Sequence, residues 1–317
     1  MDSVEAVINP KWRPKDLDAI PHVEIRPSDI FLITYPKSGT VWMQQILVQI
    51  MEAAQPDWVE DGTNRIRVPW LEGRLLEDPF RERPDPRIFL SHLPIGMLPL
   101  GVKEKKIKVV YVWRNPKDVL VSYYHFAHSW MFIEAPQSFE DLLHQFLNGH
   151  SRFSIYGPVP LMEQIHPLQM YLTCVFVWLS YYSVFFCASY VGSWFDHVRE
   201  YYAARDQLNI HFVQYENMLK DLRGEVVKIC AFLGKDLTDE AIDHVVEMST
   251  FKNMKTNPKA NYKDLVEGIQ YKTDTMRKGV AGDWKNLFTV AQNERFDKVF
   301  KEKMSDFPLT CTWEMTQ

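Results

Sequence analysis

Apolar residues along this chain follow two rhythms. Ile30-Phe31-Leu32-Ile33 is an unbroken apolar run, the pattern of a buried strand. From Val41 to Met51 the apolar residues recur at helical spacing instead. Strand-like runs return at Ile88-Phe89-Leu90-Ser91-His92, at Ile107 to Trp113 and at Ile210 to Tyr215. Helical patterns are read over Val119–Trp130, 138–148, Trp194–Arg205, 219–234, 238–247 and 290–304. The first thirty residues read as an irregular lead-in, 56–87 as loop with short helices, and the Lys-rich stretch before about residue 280 as loop. Strands alternating with helices predict an α/β fold, a single-domain parallel sheet flanked by helices over residues 1–317. In such sheets ligands bind at the carboxyl ends of the strands. Lys37, His92, Arg114 and Tyr215 all fall at or just after such an end.

The turn between the first strand and the first helix, Thr34-Tyr35-Pro36-Lys37-Ser38-Gly39-Thr40, carries the most specific chemistry. A strand, a tight turn and a helix start present free N–H groups and a positive dipole end to one phosphate-sized group. Gly39 lets the backbone approach closely, Lys37 adds a point charge, and Ser38 and Thr40 add hydroxyl donors. The turn is not a standard P-loop, whose two glycines would fall at Phe31 and Pro36. An ordinary capped helix start is the plainer alternative at this level.

The net charge of −5 gives no global signal for nucleic acid or an anionic membrane, so an anion site has to be a local basic pocket. Cys174, Cys187, Cys230 and Cys311 make no metal spacing and read as free thiols of a reducing compartment, and no metal is expected. Met1-Asp2-Ser3-Val4-Glu5 shows no apolar leader, so a cytoplasmic location is expected. One stretch departs from its surroundings. Gln164 to Phe195 contains no Asp, Glu, Lys or Arg. Its centre, residues 172–188, approaches the roughly 20 apolar residues of a membrane span, with Tyr171 and Tyr190 as candidate interfacial aromatics. A buried helix or hairpin is a second reading. A third is a segment foreign to the fold, because a pyrimidine-rich splice tract translates into Phe, Ser, Leu and Cys.

With these residues in view, the chain resembles the cytosolic sulfotransferases along nearly its whole length. Tyr35-Pro36-Lys37-Ser38-Gly39-Thr40 followed by Val41-Trp42 resembles the family's loop for a 5′-phosphosulfate. Arg114-Asn115-Pro116-Lys117-Asp118 followed by Ser122-Tyr123 resembles its 3′-phosphate motif. Tyr215-Glu216-Asn217-Met218 and Ser249-Thr250-Phe251-Lys252-Asn253-Met254 resemble its adenosine-side contacts, and Arg277-Lys278-Gly279 its late phosphate loop. Lys285, Thr289, Val290 and Glu294 match the K-x-x-x-T-V-x-x-x-E dimerisation motif. Gly192-Ser193-Trp194-Phe195-Asp196-His197 and Ala291 to Asp297 look most like the amine sulfotransferase branch.

The resemblance implies sulfuryl transfer from 3′-phosphoadenosine 5′-phosphosulfate (PAPS) to a small apolar acceptor, a phenol, alcohol or amine, with a homodimer possible. It implies that Lys37 stabilises the oxygen leaving sulfur and that the N–H groups of residues 38–41 hold the 5′-phosphate. Arg114, Ser122 and Arg277 would hold the 3′-phosphate, Trp42 and Phe251 the adenine, and His92 would take the acceptor proton as general base. Phe126, Trp130 and Phe132 are the candidate acceptor walls. Two departures stand out. Leu90 replaces a lysine that many members carry two residues before the histidine, as the amine branch also does. Residues 151–190 have no counterpart and fall where the family lines its acceptor pocket. An impaired or non-productive splice product that keeps the nucleotide site is therefore the alternative, and membrane association through 168–190 a weaker one.

Overall fold

A computed structural model of the chain describes residues 19–58, 62–72, 81–130, 135–149, 191–263 and 274–315. Its centre is a parallel sheet of β1 (Ile30–Thr34), β2 (Ile88–Ser91), β3 (Lys108–Trp113) and β4 (Asn209–Gln214), in the order β2-β1-β3-β4. Ile30 lies opposite Ile88 on one side and Lys108 on the other, and Lys108 opposite Asn209. Every residue of β1 is buried, which explains its unbroken apolar run. Phe31, Ile33, Tyr111 and Trp113 enter one core cluster, and Ile30, Leu32, Val110 and Val112 enter the other. The expected α/β fold with helices on both faces is therefore the fold observed.

The helices in chain order are α1 (Thr40–Ala54), α2 (Asn64–Arg67), α3 (Leu100–Glu104), α4 (Pro116–Ser129), α5 (Phe139–Leu147), α6 (Trp194–Ala203), α7 (Tyr215–Lys220), α8 (Leu222–Leu233), α9 (Asp239–Met248), α10 (Phe251–Thr256) and α11 (Val290–Met304). The first core cluster takes residues from α4, α5, α6 and α11, and the second from α1, α7, α8 and α9. Side-chain caps set several starts: Asn115 accepts from Lys117 N, Ser138 from Asp141 N, and Thr289 and Gln292 form a capping box. Two boundaries differ from the sequence pattern. The stretch read as helix over 219–234 breaks at Asp221, whose carboxylate caps α8 through Gly224 N at 2.8 Å. α10 lies where polarity read as loop, because six residues are too few to show a periodicity, and Thr250 caps it. Residues 151–190 and Phe132 lie outside the described residues. Among the described residues no helix is long and apolar enough to cross a membrane.

A buried ion pair ties the entries of β1 and β2 together. Arg87 Nε donates to Asp29 Oδ1 at 2.8 Å and Nη2 to Oδ2 at 2.6 Å, and both side chains are buried. Breaking one side leaves an uncompensated buried charge. Asp29→Ala is expected to destabilise the fold by about 3–5 kcal/mol, with Asp29→Ala plus Arg87→Met recovering most of it. Urea unfolding midpoints check this, and a single-variant loss below about 1 kcal/mol, the range of an exposed pair, contradicts it.

Candidate active site

The sheet lines up the predicted residues in strand order. His92 follows β2, the Lys37 turn follows β1, Arg114 follows β3 and Tyr215 follows β4. Their loops enclose one cavity of about 420 Å³. On the nucleotide side of the family pattern it is lined by Lys37, Gly39, Thr40, Val41, Trp42, Arg114, Ser122 and Tyr215. Thr250, Phe251, Met254, Arg277, Lys278 and Gly279 join them, and His92, Phe126 and Trp130 line it as well. Ser38 does not; it is fully buried. Ser249 is also buried, and its carbonyl accepts the Trp42 indole N–H at 2.7 Å.

The β1–α1 turn is shaped by two left-handed residues, Lys37 at φ 69 and Gly39 at φ 111. A Cβ at Gly39 would lie 2.7 Å from the Tyr215 ring, so glycine is what lets Tyr215 close over the turn. The Ser38 N–H is spent inside the turn, donating to Tyr35 O at 3.2 Å. Arg114 crosses between loops: Nη1 donates to Lys37 O at 3.3 Å, Nη2 to Val280 O at 2.9 Å, and the guanidinium lies 4.1 Å from the Tyr215 ring centre. Asp118, at the start of α4, accepts from Gly282 N at 2.7 Å and Trp284 N at 3.0 Å. The loop carrying Arg277 is thereby fastened to the helix that follows Arg114. Arg277 and Lys278 share Asp283, at 2.5 and 2.6 Å. A Cβ at Gly279 would stand 2.3 Å from Phe251, which fixes glycine at the closest approach of that loop to α10.

The cavity is electropositive although the chain is acidic overall. Lys37 Nζ sits 4.0 Å from the Phe126 ring centre. Burial pushes the Lys37 ammonium down to about 7, and the nearby Arg114 and Arg277 charges push the same way. His92 is 5% exposed. Its Nδ1 lies 2.5 Å from Thr34 O and 3.0 Å from Thr34 Oγ1, which in turn bonds Thr40 Oγ1 at 2.7 Å. A carbonyl only accepts, so Nδ1 carries the proton and Nε2 keeps its lone pair. Burial pushes the imidazole down to about 3, with the Thr34 bond opposing and His197 and Lys37 assisting. At neutral pH the imidazole is therefore uncharged, with Nε2 able to accept a proton.

Several lining residues escaped the sequence reading. Trp70 sits edge-on to His92 with ring centres 4.4 Å apart, and its bridge to Leu90 places it there from a stretch that reads as loop. Tyr262 donates to Gln44 Oε1 at 2.6 Å, and Leu219 and Leu222 complete an apolar side beside Met218, which the adenosine-side motif already included. The dimer-motif residues lie away from the cavity. Lys285 pairs with Glu314, Thr289 caps α11, Val290 is 76% exposed and Glu294 is exposed. Among the described residues no cluster of His, Cys, Asp and Glu has metal-binding geometry.

Known proteins share this pattern. A family model described as "Sulfotransferase domain" matches residues 27–308. The amine sulfotransferase of Oryctolagus cuniculus is 39% identical over 95% of this chain and 89% of its own length. The 3-beta-hydroxysteroid sulfotransferase of Cavia porcellus is 37% identical over 90% of this chain and 86% of its own. The crystal structure of mouse sulfotransferase SULT7A1 complexed with PAP is similar with a TM-score of 0.65 and 28% identity, over 92% of this chain and 90% of that one. The turn, the strand-end residues and the late glycine loop all fall within the matched span, and this chain belongs to the cytosolic sulfotransferase family.

Proposed function

We propose that the chain moves a sulfuryl group from PAPS to the hydroxyl or amine of a small apolar acceptor, with His92 as general base. The observation that carries this reading is the Thr34 clamp. The strand that leads into the Lys37 turn also holds the His92 Nδ1–H, so the anion loop and the base are fixed at one strand end. The residues also fit the nucleotide. Arg114 Nε is a buried polar atom with no hydrogen-bond partner among the described residues, and five cations, Lys37, Arg65, Arg114, Arg277 and Lys278, line the cavity. Such a donor set suits a ligand with two separate phosphate positions.

PAPS, when bound, supplies an activated sulfuryl group on its 5′-phosphate, and PAP is the nucleotide left behind. Lys37 neutralises the charge that grows on the oxygen leaving sulfur. Arg114 and Arg277 hold the far phosphate, Trp42 and Phe251 the adenine, and the apolar walls including Phe126 and Trp130 exclude water around the acceptor. His92 Nε2 receives the proton that the acceptor loses as its oxygen or nitrogen bonds sulfur. Dimerisation through Lys285, Thr289, Val290 and Glu294 belongs to the same reading.

The low Lys37 value has a sign that can be checked. With the free-state value near 7, the amine is largely neutral above that pH. An anionic ligand favours the ammonium, so PAP binding takes up a proton. Affinity is expected to fall as pH rises above 7, by up to about tenfold per unit. Calorimetry at pH 8 in buffers of different ionisation enthalpy reads the uptake directly; none contradicts the assignment.

Acceptor class is tested by incubating the full-length chain with radiolabelled donor and a phenol, an aliphatic alcohol or an arylamine. Label on at least one acceptor supports the reading. PAP binding without transfer to any of them, with transfer restored on deleting 151–190, supports the impaired alternative instead.

A further inference from the structure

The segment carrying His92 is gripped from behind by side chains that do not line the cavity. The His92 backbone N–H donates to Glu72 Oε1 at 2.7 Å. Its carbonyl lies 3.2 Å from His197 Nε2. One residue on, Leu93 O accepts from the Tyr201 hydroxyl at 2.7 Å. His197 and Tyr201 are one turn apart on α6, so a single helix face holds two consecutive carbonyls. Proton bookkeeping then fixes the rest. A carbonyl has no proton to give, so His197 carries its own on Nε2. Its Nδ1 is therefore an acceptor and takes the Tyr111 hydroxyl at 2.8 Å, from β3. The relay runs Tyr111 O–H to His197, then His197 N–H to His92 O, with His197 almost wholly buried.

We propose that His197 is a positioning residue for sulfuryl transfer: by holding the His92 carbonyl in register it keeps the His92 imidazole seated on Thr34 O with Nε2 toward the acceptor. The inference rests on the reading of His92 as the base. A role in packing alone is the rival, because the His197 ring also stacks on Tyr111 and Tyr201. The two separate because an apolar side chain of similar length keeps packing and loses the donor, whereas glutamine keeps an N–H near the Nε2 position.

The test compares His197→Met with His197→Gln in the full chain, measuring kcat at saturating substrates, PAP affinity and melting temperature. His197→Met is expected to lower kcat by about tenfold or more, the scale of a small misplacement of a reacting group, with PAP affinity within about twofold. His197→Gln is expected to regain most of that kcat. Equal kcat for the two, or a loss in PAP affinity that tracks kcat, overturns the proposal. Should either variant fail to fold, Tyr111→Phe decides: it keeps the ring, releases the His197 tautomer, and is expected to lower kcat about threefold, whereas parental kcat overturns the proposal. His92→Ala runs beside them. Full activity there removes the base assignment itself, whereas an inactive His92→Ala beside an unaffected His197→Met removes only the positioning role.

Discussion

His92→Ala is expected to lower sulfuryl transfer by about 10²–10⁴-fold, the usual contribution of a positioned general base, while PAP binding stays close to that of the parent. The split follows from the geometry. His92 contributes one donor to Thr34 O, and the turn keeps its own Thr34–Thr40 hydroxyl bond when the ring is gone. The anion loop therefore survives the substitution. What disappears is the lone pair on Nε2, the acceptor that burial keeps unprotonated at neutral pH. Single-turnover transfer and PAP calorimetry on one preparation separate the two effects. A variant that transfers at the parental rate rules His92 out as the base.

Lys37→Met is expected to lower kcat by about 10²–10³-fold, the scale seen when one charge-stabilising group is removed from a site where charge develops. Lys37 Nζ stands against the ring of Phe126, a candidate acceptor wall, whereas Arg277 and Lys278 are already partly neutralised by Asp283. Leu90 sits fully buried two residues before His92, so no charge from that position shares the task. Methionine keeps the φ 69 backbone demand and the length of the chain, which isolates the ammonium. The stability change is expected to have the opposite sign. Burial opposes the Lys37 charge, so removing it should raise the melting temperature below pH 7, where the ammonium is populated. Parental kcat with only weakened PAP binding would place Lys37 in binding alone.

The sheet and its active edge were legible because a parallel strand buried on both faces leaves an unbroken apolar run. Ile30–Ile33, Ile88–Leu90 and Val109–Trp113 lead within a few residues to Lys37, His92 and Arg114, which the fold brings to one cavity. Lys37, Arg114 and the Arg277 loop were legible as motifs, since each needs only local residues. What escaped is long-range. Asp118 reads locally as a helix first-turn acid, yet it fastens Gly282 and Trp284 across 164 and 166 residues. Trp70 reads as loop and stands against His92. His197 reads only as part of the Gly192–His197 wording, and nothing near it in the chain announces the carbonyl 105 residues away that it holds. The lowered His92 value is long-range for the same reason: residue type gives only the ordinary imidazole range, and the fold supplies the burial that lowers it.

The most direct measurement is a single turnover by the full-length chain, preloaded with radiolabelled donor and mixed with a small apolar phenol or arylamine. Label is expected to appear on the acceptor in the parent and to vanish in His92→Ala, with PAP left bound in the parent reaction. Donor that binds tightly yet passes no label to any acceptor, or label that passes equally well without His92, contradicts it.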